Sequence, residues 1–172
     1  MKTRSSASLP SPRLSLARVL VAVDFSEESK KALQYATAFA QQFGADITLL
    51  HVVEPLVCSA DYGYGRVTNE VPNQTLLRKA RTRLNRWAAR LSGSAGNVVT
   101  LVRTGVASTE ITRAARELGA DLIAVGTRPE NTSAKTAMQN TAQRILRYAP
   151  CPVFVAHKKE EFPHPAKPRG SL

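Results

Sequence analysis

The chain has 172 residues, 43% hydrophobic and 22% charged, the proportions of one globular domain with a core large enough to need no disulfides or metals. Collagen-like, mucin-like and wholly disordered classes are excluded, and no apolar run approaches the roughly 20 residues of a bilayer-crossing helix, so no membrane partner is expected. The net charge of +11 is local: residues 1–18 hold Lys2, Arg4, Arg13 and Arg18, residues 76–92 hold Arg78, Lys79, Arg81, Arg83, Arg86 and Arg90, neither has an acid, and elsewhere 14 bases face 13 acids.

In chain order, residues 1–17 are Ser-rich with two prolines and no apolar periodicity, the pattern of a basic, disordered tail without a targeting function. Short, continuous apolar runs at 19–23, 47–53, 98–102, 122–125 and 153–156 predict strands buried on both faces. Helical spacing predicts helices over 27–43, 73–91, 108–118 and 137–148. In the third, Ile111, Ala114, Ala115 and Leu118 fall at i, i+3, i+4, i+7, and Gly44 and Gly119 stand where a left-handed C-cap is wanted. Residues 54–72, with Asp61-Tyr62-Gly63-Tyr64-Gly65, fit an ordered surface loop or an aromatic lid over a cleft. Residues 157–172 have no periodicity and predict a second disordered tail. The alternation βαβαβαβαβ demands right-handed crossovers and a five-stranded, doubly wound parallel sheet with helices on both faces, an α/β Rossmann-like architecture.

In such a sheet ligands bind beyond the carboxyl ends of the strands, where strand order reverses. Asp24-Phe25-Ser26-Glu27-Glu28, His51-Val52-Val53-Glu54 and Gly126-Thr127-Arg128 are the segments that converge there. Four blocks carry a resemblance. Ala22-Val23-Asp24-Phe25-Ser26, Leu49-Leu50-His51-Val52-Val53-Glu54, Gly119-Ala120-Asp121-Leu122-Ile123-Ala124-Val125-Gly126-Thr127 and Arg144-Ile145-Leu146-Arg147-Tyr148-Ala149-Pro150-Cys151-Pro152-Val153 resemble, in order and spacing, the successive blocks of the universal stress protein (UspA-like) family over about residues 18–156. The resemblance implies strand order 3-2-1-4-5, a homodimer built through the last strand, a cytoplasmic setting and a stress-response or signalling role. In one branch of the family it also implies ATP in the crevice. Carried onto this chain, the adenine-nucleotide positions are Ala22, Val23, Asp24, Val52, Gly126, Thr127, Arg128, Gln139, Asn140 and Thr141, with Asp24 on the nucleoside and the backbone of Val52 on adenine.

The phosphate motif of that branch, G-x2-G-x9-G-[ST], is degenerate here: Gly126 keeps the first glycine, but Pro129, Gln139 and Asn140 take the other three positions. Proline has no N–H to donate and cannot reach a left-handed φ, and Gln139 puts a side chain where backbone amides would close on phosphate. Weak or absent ATP binding is therefore expected. The alternative is an ATP-binding or other adenine-nucleotide-binding protein that uses Arg128, Ser133, Lys135 and Asn140 as substitute donors. Asp24 also has a local use, since Asp24 and Glu27 form D-x-x-E at the start of the first helix, close to a capping box; Ser26 is the other candidate cap.

No catalytic constellation emerges, and the expectation is a binding protein, not an enzyme. His51 lies between Leu50 and Val52 on a buried strand and fits a hydrogen-bonded core residue. Cys151, between two prolines, fits a small buried hydrophobe, and neither it nor Cys58 has a partner at CxxC or metal-ligand spacing, which suits a reducing, cytosolic compartment. In the second helix Leu77, Leu84, Trp87, Ala88 and Leu91 form the core stripe, while Lys79, Arg83, Arg86 and Arg90 line a second face. That face is either solvated or a contact for a polyanion, nucleic acid or an acidic protein.

Overall fold

The apolar runs pair side by side into one parallel sheet in a computed structural model that describes residues 15–55, 74–91, 93, 96–127 and 135–157, with backbone only for 135–140. The elements are β1 (Arg18–Ala22), α1 (Glu27–Phe43), β2 (Asp46–Val53), α2 (Gln74–Ala89), β3 (Val98–Thr104), α3 (Ala107–Leu118), β4 (Leu122–Thr127), α4 (Lys135–Tyr148) and β5 (Val153–His157). The sheet order is β3-β2-β1-β4-β5, with Val21 opposite Leu49 and Ala124 and, further out, Ala124 opposite Phe154. The expected architecture is therefore the observed one.

Alternation along each strand explains why the runs are apolar throughout. Val19, Val21, Ile47 and Leu49 point to one face and bury against Leu33, Ala36 and Ala40 of α1 and Leu84 of α2. Leu20, Leu50 and Ile123 point to the other, against Ile111, Ala114 and Ala115 of α3 and Ile145 of α4. Ser26 caps α1, its hydroxyl accepting from the Ser29 amide, and Gly44 ends it at φ 68° with its N–H on the Ala40 carbonyl. Ser26, then, is the cap, and Glu27 pairs instead with Lys30 at 3.3 Å.

The strands outrun their apolar cores, because a parallel ladder pairs backbone whatever the side chain. Thr104 pairs with Val53, and Thr127 with His157, so His157 belongs to β5 and not to a tail. At the other end Leu16 packs against the first core cluster. The Ala17 amide donates to Asp121, and the Ala17 carbonyl accepts from Asp46, so attachment to the sheet begins before Arg18. The rest of both expected tails, the Asp61–Gly65 stretch and Cys58 lie outside the described residues. None of the described helices is long and apolar enough to cross a membrane.

Candidate functional site

Strand order reverses between β1 and β4: the chain leaves β1 through α1 on one face and enters β4 from α3 on the other. At the carboxyl end of that seam lies a cavity of about 60 Å³. Ala22 lines it from the end of β1, Val23 and Asp24 from the segment just after, Leu50, His51 and Val52 from β2, Val125 and Gly126 from β4, Ser29 from α1, and Ala107 and Ile111 from α3.

The first wall is held by a tight turn. Phe25 adopts φ 65°, the left-handed region that a bulky residue enters only under local constraint. The Asp24 carboxylate accepts from the Ser26 amide at 3.0 Å and from the Ser26 hydroxyl, while Ser26 in turn accepts from Ser29. Asp24 thus braces the residue that caps α1, and the left-handed turn lets Asp24 line the cavity while Phe25 turns to the opposite side. On β2, His51 Nδ1 lies 2.6 Å from the Val23 carbonyl. A carbonyl only accepts, so Nδ1 carries the proton, and the Phe25 ring lies over the imidazole at 4.5 Å between centroids. His51 is a hydrogen-bonded, half-buried strand residue that fixes the β1 end.

Two further contacts shape the opposite wall. Glu54 accepts from the Ala107 amide at 2.8 Å, supplying the N-terminal cap that Val106 lacks. At Gly126 a Cβ would sit 2.4 Å from the Glu28 carbonyl carbon and 2.5 Å from the Ser29 nitrogen. The first turn of α1 therefore lies directly on β4, and glycine is required there for packing alone.

Of the expected nucleotide positions, Ala22, Val23, Asp24, Val52 and Gly126 come together around this cavity. Thr127 is buried at the end of β4 and is not part of the lining, and Thr141 is half-buried on α4. Gln139 and Asn140 fall within the backbone of α4. Their side chains, like those of Lys135 and of Arg128, Pro129 and Ser133, lie outside the description. Ser29, Ala107 and Ile111 complete the wall and were not expected from sequence. For Ala107 and Ile111 the one pointer was topological, since the β3-to-β4 crossover must pass the reversal point and the start of α3 borders it; Ser29, on α1, had none.

Cys151 packs half-buried against the second core cluster. Burial, with the Asp121 charge, pushes its thiol above the usual range, so it stays protonated and is a poor nucleophile.

A doubly wound parallel sheet with an aspartate closing its first strand and a glycine near the end of its fourth, both on the reversal crevice, defines a small Rossmann-like α/β protein. Residues 16–157 match the profile of the Universal stress protein family, and the chain belongs to that family. A universal stress protein of Methanocaldococcus jannaschii is 26% identical over 149 residues, covering 84% of each chain. One from Thermus aquaticus is 31% identical over 137 residues, covering 80% of this chain and 96% of its own. Among solved structures, a Methanocaldococcus jannaschii protein whose biochemical function was assigned from structure superposes with TM-score 0.70 at 21% identity, over 86% of this chain and 99% of its own. Two universal stress proteins solved with ligands share the fold at 16% identity. One, in complex with cAMP, has TM-score 0.61 over 84% of this chain and 98% of its own. The other, from Archaeoglobus fulgidus in complex with dAMP, has TM-score 0.59 over 82% and 97%.

Proposed function

We propose that this universal stress protein acts in the cytoplasm by binding and not by catalysis, in a stress-response or signalling role. Its crevice takes the adenosine end of an adenine nucleotide and holds a polyphosphate weakly. The observation that carries this reading is the grouping of Asp24, Val52 and Gly126 around one cavity. A carboxylate suits ribose hydroxyls, a strand backbone at Val52 suits the edge of a purine, and the mostly apolar walls suit its faces. A cavity of about 60 Å³ seats the edge of a planar ring, and the remainder of a nucleoside would extend past Gly126.

Weak polyphosphate binding is what the sequence supports, since proline at 129 has no N–H to donate and glutamine stands at 139 where the phosphate motif has glycine. The relatives solved with cAMP and dAMP carry ligands with a single phosphate, which agrees with a site whose affinity lies at the adenosine end. Calorimetric titration of AMP, ADP and ATP against the wild type tests this. AMP and ATP are expected to bind within about threefold of each other, because phosphates held by few fixed donors add little. Asp24→Ala should weaken all three alike, and Pro129→Gly with Gln139→Gly should strengthen ATP and leave AMP unchanged. ATP binding far more tightly than AMP to the wild type would overturn the reading and favour Arg128, Lys135 and Asn140 as substitute donors.

A further inference from the structure

Away from the crevice, a cavity of about 520 Å³ opens between α1 and α2 on the other side of Phe25, within the size range of small-molecule sites. Its origin lies in sequence. From α1 the cavity is lined by Glu27, Lys30, Gln34 and Thr37 beside a single apolar residue, Leu33; so polar a set does not close an apolar seam, and a groove remains with Leu33, Phe25 and Trp87 as its apolar lining. Phe25 and Trp87 meet edge to face at 5.6 Å, and both are half-buried, so aromatic surface is left on the groove wall.

The rim is cationic. Arg83, on α2, and Arg90, in the turn just past its end, stand seven residues apart with Trp87 between them, which on a helical rise is about 10 Å along the axis. The Arg83 guanidinium carbon lies 4.2 Å from the Phe25 ring centroid, a cation–π contact that does not consume its N–H donors. Among the described residues no carboxylate forms an ion pair with Arg83 or Arg90, and the one acid of the groove, Glu27, pairs with Lys30. An aromatic floor between two available guanidiniums selects a flat anion over a hydrated one, because stacking and charge-assisted hydrogen bonding act together.

We propose that the α1–α2 groove is a second ligand site, for an aromatic carboxylate of about two fused rings. The ring lies on Trp87 and Leu33 and the carboxylate on Arg83 or Arg90. The roughly 10 Å between the two arginines along the helix matches the long axis of such an acid. The inference does not depend on the nucleotide reading, since none of these residues lines the crevice.

The test uses the full chain and its single tryptophan, whose indole N–H gives one resonance. Binding of 2-naphthoate, 2-naphthalenemethanol and inorganic tripolyphosphate is measured by calorimetry, and the Trp87 indole is followed by NMR. The carboxylate should bind and move the indole resonance, and the neutral alcohol should bind about tenfold more weakly, one charge-assisted hydrogen bond being lost. The Arg83→Gln, Arg90→Gln double variant, both positions being exposed, should erase that difference, with its thermal midpoint measured beside the wild type's because Arg83 also contacts the Phe25 ring. Saturating AMP should not displace the acid. The proposal is overturned if acid and alcohol bind alike, if the indole does not respond, or if AMP competes. It is also overturned if tripolyphosphate binds more tightly than the acid, the result that would instead establish α2 as a polyanion surface.

Discussion

An alanine methyl at position 126 would meet the backbone of Glu28 and Ser29 at 2.4 and 2.5 Å, atoms that cannot rotate aside. Either α1 lifts from β4 or β4 bends, and overpacking of this kind costs about 1–3 kcal/mol. Gly126→Ala should therefore lower the thermal midpoint even without ligand, as calorimetry or circular dichroism would record. A glycine kept only to admit phosphate would leave the unliganded midpoint unchanged. Asp24 shows the same layering of roles. Its carboxylate holds the Ser26 cap while lining the crevice, so an Asp24 variant is informative about ligands only beside a measurement of its stability.

Asp121 works between elements. Its carboxylate accepts from the amides of Ala17 and Arg18 at 2.9 Å each, and its own amide donates to the Arg18 carbonyl, tying the start of β1 to the start of β4. Those two amides, the Ala17 bond foremost, hold its carboxyl below the usual range despite the opposing effect of burial, with the Arg18 charge a smaller aid. A depressed folded-state pKa contributes stability above the unfolded value near 3.9 and loses it as pH falls through the folded one. Asp121→Asn should cost on the order of 1 kcal/mol at neutral pH, a figure kept small by solvent exposure. Its stability should also decline less steeply than the wild type's below about pH 4; parallel acid-denaturation curves would contradict the assignment. Element type and sequence order were legible because the evidence for them is local: the end of α1 was written in Gly44, the α3 stripe in Ile111, Ala114 and Ala115. Two features were not legible. The share of Ala107 and Ile111 in the crevice depends on a crossover, and the packing need for Gly126 depends on how closely α1 approaches β4. Both are distances between segments remote in sequence, which periodicity does not encode.

At the scale of the whole molecule the sheet has two edges, and β5 is the one for which the sequence resemblance implies a partner. Ile123 donates to the Pro152 carbonyl, and with Ile123 opposite Val153 the parallel pattern turns the N–H groups of Val153, Val155 and His157 away from β4. Among the described residues no strand pairs beyond β5, and a row of outward donors on a strand reading VFVAH is a template for pairing that a two-fold mate laid antiparallel along it would close on both copies. The wild type should therefore sediment as a dimer in the micromolar range. Replacing Phe154 would not isolate the edge, since its ring packs against Tyr35 and Phe39 at 5.2 and 5.5 Å and its loss would damage the core. Val155→Pro and His157→Pro each delete one outward donor while keeping a residue type that edge strands tolerate. His157 is exposed at the strand's end, so that variant should keep its thermal midpoint in the monomeric limit while its sedimentation shifts toward monomer. A wild type that runs as a monomer, or proline variants that remain dimers, would show that β5 is not the joining edge.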